Sequence, residues 1–197
     1  MDQVRIIQYS KGGDLIMTIV LDTETTGLHP ERGDELLQVS IIGDDGSMIF
    51  DSLIHPIFAS SWEEAMAVNH ITPEMVQDAP YIGDVSDDLR RIIQSADTII
   101  GYNTPFDIGF LDYCAGVIPD PATTKIIDVM ADFKKYMQIE RWVKLTDAAA
   151  YFGFDWSAAP AHNSLGDCLA TLHVYNCLKE RREADGAELT ADRVLKS

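Results

Sequence analysis

The stretch from Met17 to Gly27 constrains the fold of this chain more than any other. An apolar, β-branched run, Ile19-Val20-Leu21, ends in the carboxylates Asp22 and Glu24, and Thr25, Thr26 and Gly27 follow. The pattern predicts a buried strand and then a turn. Side chains two apart on a strand share a face, so Asp22 and Glu24 project together with unlike reach. Two like charges held together cost free energy unless something positive sits between them. Hard divalent cations such as Mg²⁺ or Mn²⁺ take oxygen ligands and are commonly held by a few carboxylates plus substrate phosphate. Taken singly, the pair also describes a solvated strand end entering a turn.

A second segment, Thr98 to Leu111, repeats the plan of apolar strand, polar turn and helical pattern. Pro105 suits a first helical turn, which places Asp107 where the helix dipole favours negative charge. Asp107 is then either a favourable helix-start acid, with Phe106 and Phe110 in the core, or a carboxylate facing Asp22 and Glu24 across the end of the sheet. In the third segment, apolar residues at 165, 168, 169, 172 and 175 recur at helical spacing. Asp167 falls near the start of that helix and His162 on the loop before it. Imidazole is the side chain best matched to take a proton from water near neutral pH. His173, deeper in the helix with no acidic neighbour in sequence, is read as structural.

Together these segments resemble the three exonuclease motifs of the DEDDh 3′-5′ exonucleases, the DnaQ-like family of the polymerase III proofreading subunit. The matching residues are Asp22 and Glu24, then Asn103 with Asp107, then His162 with Asp167. The likeness spans about residues 17 to 178 and takes in Glu35 to Ile41, Val68 to Thr72, Asp78 to Pro80, Asp128, and Lys144 to Ala149. Gln38 stands where the family often carries Glu, and Asn69 where a histidine often precedes the Ile-Thr pair. A histidine rather than a tyrosine in the third motif points to the h subgroup.

The resemblance implies a ribonuclease H-like α/β fold and hydrolysis from the free 3′ end of nucleic acid, single-stranded DNA or RNA, releasing nucleoside 5′-monophosphates. It implies that Asp22, Glu24, Asp107 and Asp167 hold two Mg²⁺ or Mn²⁺ ions, which serve the attacking and leaving oxygens, and that His162 is the general base. Backbone N–H groups of Thr23, Thr25, Thr26 and Gly27 are expected near the terminal nucleotide, with Asn69 and Asn103 as further contacts. Leu28 and Phe106 are expected to pack against terminal bases, a sequence-tolerant contact. A DNA polymerase or replisome subunit is the implied partner. Two readings from other classes stand beside this one: a catalytically silent replisome-binding module, and a different metal-dependent phosphoesterase. Within the family reading, an exonuclease directed at RNA or oligonucleotides is the further alternative.

The chain has 197 residues, 46% hydrophobic and 24% charged, which suits one compact domain. Residues 17–182 are expected to form it, with 1–16 as an N-terminal extension and 183–197 as a tail. Strands are predicted near 17–22, 35–43, 47–54, 97–101 and 124–128, giving a mixed five-stranded sheet, an antiparallel meander plus parallel strands, flanked by helices. No run is long enough to cross a bilayer, and no stretch resembles a signal peptide. Three cysteines without metal-ligand spacing suggest reduced thiols and a cytoplasmic setting.

The net charge of −17 runs against the basic footprint usual for nucleic-acid binders. The imbalance is uneven: residues 1–100 carry 18 acids and 5 bases, residues 101–197 carry 14 and 10. Lys125, Lys134, Lys135, Arg141 and Lys144 gather ahead of the third motif, as a guide for a strand or as a solvated helix face. The acidity favours a grip on a few terminal nucleotides, or delivery of the substrate by a partner.

Overall fold

A computed structural model describes residues 17–157 and 161–194. The expected extension 1–16 lies outside the described residues, as do the last three positions of the expected tail. Five strands form one sheet in the order β3-β2-β1-β4-β5. β1 (Thr18–Thr25), β2 (Leu36–Gly43) and β3 (Met48–Leu53) make the antiparallel meander. β4 (Thr98–Gly101) and β5 (Lys125–Asp128) add in parallel beyond β1. The mixed sheet is the one anticipated, with one difference. β1 runs three residues past the expected end because Glu24 still pairs with Gln38, and a bulge between Glu24 and Thr25 breaks the ladder only there.

Alternation along the strands sorts side chains to two faces. Ile19, Leu21, Val39, Ile41 and Ile99 meet one layer, made by α3 (Ile82–Ser95) and α4 (Thr104–Ala115) through Leu89, Ile93, Phe110 and Leu111. Val20, Ile42 and Ile100 meet the other layer. It is built from α5 (Val129–Met137), α6 (Leu145–Tyr151) and α7 (Ser164–Val194), through Phe133, Ala148, Cys168 and Leu172. Each large side chain fully buried in these layers contributes about 1.5–3 kcal/mol of transfer free energy. Two short helices, α1 (Glu63–Asn69) and α2 (Pro73–Val76), pack Trp62, Ile71 and Val76 on Leu37 near the end of β1. α7 runs through position 183, where the tail was expected to begin.

The junction between β4 and α4 is tight. β4 ends at Gly101, where a Cβ would come within 2.8 Å of the Thr104 hydroxyl, so only glycine lets α4 start so close to the strand. Asn103 then takes a left-handed backbone (φ 69°) and Pro105 occupies the first turn of α4. Among the described residues, no helix is long and apolar enough to cross a membrane.

Candidate active site

On β1 the face that carries Val20 also carries Asp22 and Glu24, and this is the face covered by α7. Cys168 brings α7 down onto the strands, its thiol donating to the carbonyls of Val20 (3.6 Å) and Ser40 (3.4 Å). Asp167, the residue before it, therefore lies over the acid pair. One carboxylate oxygen each from Asp22, Glu24 and Asp167 falls within 4.8 Å of the others. Asp107 enters from the opposite layer in the first turn of α4 and is 3% exposed. Its Oδ1 accepts from the backbone N–H of Thr23 at 3.0 Å and from the Thr23 hydroxyl at 2.7 Å.

Four desolvated carboxylates at one sheet end resist ionisation. Burial, then the charges of Asp107, Asp167 and Glu24, hold the Asp22 carboxyl well above the usual range. Burial and the charges of Asp167 and Asp107 push Glu24 up to about 8. Burial raises Asp107 to about 7 against the lowering effect of the Thr23 hydrogen bonds. Asp167 rises to about 6 through burial, moderated by the backbone and ring of His162. The ion pairs among the described residues involve none of these four acids. An all-oxygen donor set with repelling, uncompensated charge is what a hard divalent cation relieves, so the residues present fit Mg²⁺ or Mn²⁺.

His162 sits on the loop entering α7 in a left-handed conformation (φ 60°), its N–H donating to Asp167 Oδ1 at 3.2 Å. The third motif is thus internally bonded, which the five-residue spacing alone does not reveal. His173 bonds the Phe152 carbonyl at 3.0 Å, in keeping with its structural reading.

Of the backbone N–H groups expected near the terminal nucleotide, those of Thr23 and Thr26 bond within the protein. The N–H and hydroxyl of Thr23 both donate to Asp107, so this residue holds a carboxylate of the site. The Thr26 N–H donates to the Glu35 carbonyl at 2.8 Å, and its hydroxyl accepts from the Glu35 N–H at 2.9 Å. The Thr25 hydroxyl donates to the Gly27 carbonyl at 2.5 Å, and a Cβ on Gly27 would run into the Asp34 side chain. Asn69, 6% exposed, donates to the Thr25 carbonyl (3.2 Å), accepts from the Ile71 N–H (3.1 Å) and lowers Glu24 by a side-chain hydrogen bond. It braces the end of β1.

Asn103 remains exposed, with its N–H given to Asp128 Oδ1 at 2.9 Å. That same Asp128 oxygen caps α5 through the Met130 N–H, a role for which an acid just ahead of a helical stretch is the sequence signal. Phe106 is partly buried with its ring 4.8 Å from that of Phe110, while Leu28 is 71% exposed. Of the predicted basic group, Lys134 lies over Trp142 and pairs with Glu140, and the other four are exposed. A cavity of about 550 Å³ between β5, α5 and α7 is lined by none of the four acids.

The sequence model of the RNase_T exonuclease family matches residues 19–175. The chain is 28% identical over 181 residues to a DNA polymerase III subunit epsilon-like protein of Rhodobacter capsulatus, covering 88% of this chain and 25% of that one. It is 26% identical to the DNA polymerase III subunit epsilon of Rickettsia typhi (84% and 75% covered) and 30% identical to that of Salmonella typhimurium (80% and 69%). The chain therefore spans a quarter of the first of these relatives and most of the other two. Among solved structures, the zinc-bound E. coli ExoI–ssDNA complex superposes with a TM-score of 0.71 at 18% identity, over 89% of this chain and 43% of that one. Exonuclease X in complex with 5′ overhanging duplex DNA gives 0.61 at 23%, over 84% and 92%.

Proposed function

The chain belongs to the RNase_T exonuclease family, as a DnaQ-like 3′-5′ exonuclease, and from that premise we propose that it removes nucleotides stepwise from the free 3′ end of a DNA strand. Asp22, Glu24, Asp107 and Asp167 would hold two Mg²⁺ or Mn²⁺ ions. Bound there, such ions supply charge neutralisation at the phosphoryl oxygens and acidify an attacking water. The protein's own part is to bring the four carboxylates together from β1, α4 and α7, and to keep Asp107 oriented through Thr23. His162 takes the water's proton on its ring, from a loop tied to Asp167. Leu28, exposed just beyond the acid pair, is the apolar side chain offered to the terminal base.

The observation that carries this reading is the convergence of Asp22, Glu24 and Asp167 to within 4.8 Å, with His162 hydrogen-bonded to the third of them. DNA is favoured as the substrate because the relatives are DNA polymerase III epsilon subunits and the ExoI and exonuclease X neighbours hold DNA, single-stranded in the first and a 5′ overhanging duplex in the second. A net charge of −17 works against tight tracking along a strand, so we infer that a polymerase-type partner delivers the end. The exonuclease unit is placed at residues 17–182.

The test is incubation of the purified protein with Mg²⁺ or Mn²⁺ and 5′-labelled single-stranded DNA or RNA, either free or blocked at the 3′ end. Asp22→Ala and His162→Ala run alongside. Stepwise shortening of free 3′ ends, suppressed by EDTA and by both substitutions, is expected, with DNA faster than RNA. Shortening of blocked strands, or full activity in Asp22→Ala, would overturn the mechanism. Faster loss of RNA or dinucleotides would overturn the substrate assignment alone.

A further inference from the structure

β2 carries two polar side chains on the face of the acid pair, and their partners form a directed set. Gln38 stands opposite Glu24 in the ladder and Ser40 opposite Asp22, while Asp51 on β3 stands opposite Ser40. Gln38 Nε2 donates to Asp51 Oδ1 at 2.9 Å, and the Ser40 hydroxyl donates to the same oxygen at 2.8 Å. On the other side, Asn163 Nδ2 donates to Gln38 Oε1 at 3.2 Å, and the Ser164 and Ser40 hydroxyl oxygens are 2.5 Å apart.

A carboxylate only accepts, so the direction of every bond is set by Asp51. Gln38 must turn its amide NH₂ toward Asp51 and its oxygen toward Asn163, which must give its own NH₂. Ser40 spends its single proton on Asp51, so Ser164 must donate to Ser40. Two lines of donors thus run from the loop at α7 to one oxygen on β3. Ser40 and Ser164 have no exposed surface and Gln38 is 4% exposed, so a reversed bond leaves an unpaired polar group at full desolvation cost.

We propose that Gln38 is a positioning residue: with Ser40 and Asp51 it forms a polarised clasp that fixes the loop of His162, and the first turn of α7, over Asp22 and Glu24. His162 adopts a backbone conformation that non-glycine residues seldom take (φ 60°). Such a conformation persists only where the surroundings hold it, and the next two residues, Asn163 and Ser164, carry these tethers to the sheet. The inference rests on the role given to His162 and Asp167 under Proposed function.

The test reverses one polarity. Gln38→Glu sets a carboxylate against Asp51 with no proton between them, and Gln38→Glu with Asp51→Asn returns a donor to that contact. Asp51→Asn alone keeps an oxygen that accepts from both Gln38 and Ser40. Asn163→Ala cuts one line from the loop side without adding charge. Two readouts are taken on each full-length protein: steady-state hydrolysis of a 3′ end, and backbone hydrogen exchange of residues 161–167.

Gln38→Glu and Asn163→Ala are expected to lower kcat by about tenfold with KM within about twofold, since small misplacements of reacting groups act on the chemical step. Exchange across 161–167 is expected to speed up in both. The double variant is expected to recover both readouts in part, because an amide at position 51 that donates to position 38 also turns its NH₂ toward Ser40, where Asp51 Oδ1 accepts in the wild type. Asp51→Asn alone is expected to depart little from wild type. Wild-type exchange in both single variants, or a double variant no better than Gln38→Glu, overturns the clasp. Should Gln38→Glu not fold, Asn163→Ala decides by the same two readouts. If the wild-type protein hydrolyses no 3′ end, the proposed function fails, and hydrogen exchange still judges the clasp by itself.

Discussion

Thr23 gives two hydrogen bonds to one oxygen of Asp107, from its backbone N–H at 3.0 Å and its hydroxyl at 2.7 Å, joining β1 to α4 across 84 residues of chain. Both bonds favour the ionised carboxyl, against a desolvation that raises it to about 7. Thr23→Val keeps the shape and the backbone bond and removes the hydroxyl. A hydrogen bond to a charged acceptor is worth about 1.5–3 kcal/mol. The variant is therefore expected to lose about tenfold or more in kcat/KM at neutral pH, and the acidic limb of its pH–rate profile is expected to move upward. An unshifted acidic limb would remove Thr23 from the set of residues that tune Asp107.

The difference between Thr23 as expected and as found shows what is legible in a sequence of this kind. The acids were legible because each follows a local pattern, a strand end or a helix start, that places it without reference to the rest of the chain. The sheet was legible for the same reason: apolar, β-branched runs such as Ile19-Val20-Leu21, bounded by turn residues, mark its strands. The partner of a hydroxyl is not a local property. Nothing near Thr23, Asn69 or Gln38 in sequence announces Asp107, the Thr25 carbonyl or Asn163, which lie 84, 44 and 125 residues away. Thr23 and Asn69, expected near the substrate, also carry bonds that hold the site together, because at the end of a buried strand a free donor is costly and the fold satisfies it first.

The clustered carboxylates predict how the metal-free protein responds to pH. Glu24, Asp107 and Asp167 are raised to about 8, 7 and 6, and burial and its acidic neighbours hold Asp22 well above its ordinary value too. For an acid whose folded pKa exceeds its unfolded value, the folded state binds more protons, so stability falls as pH rises through the folded pKa. The contribution is fully present below the unfolded range, near pH 4, and is lost between about pH 4 and 8. In EDTA the Tm is expected to drop by on the order of 5 °C or more between pH 5 and pH 8, and Mn²⁺ is expected to restore most of it at pH 8. A calorimetric Tm in EDTA that rises or stays flat over this window would contradict the packing of the four acids.

Glu35 received no role from sequence, yet its carboxylate accepts three consecutive backbone N–H groups, those of Ile57 (2.6 Å), Phe58 (2.9 Å) and Ala59 (2.7 Å). These bonds hold the segment that leads into α1, whose last residue, Asn69, braces Glu24. Glu35→Gln keeps one acceptor and brings an amide donor against backbone N–H groups. For a partly exposed site the loss is about 1–2 kcal/mol, a Tm lower by roughly 2–6 °C. Denaturation midpoints of the two proteins check it, and an unchanged midpoint would mean that the loop stands without Glu35.

His162 offers a separation that few residues allow. Its backbone lies at φ 60°, where glycine is at ease and a side chain is strained by about 1 kcal/mol. Glycine also raises the entropy of the unfolded chain, at a cost of about 0.5–1 kcal/mol. The two terms oppose each other, so His162→Gly is expected to keep its Tm within about 2 °C of wild type. The general base is nonetheless gone, and such groups are worth about 10²–10⁴ in rate. A protein of normal stability that has lost that much activity is what a base on a strained loop entails. Were the imidazole instead a brace for α7, Tm and activity would fall together, and measuring both on one preparation distinguishes the two roles.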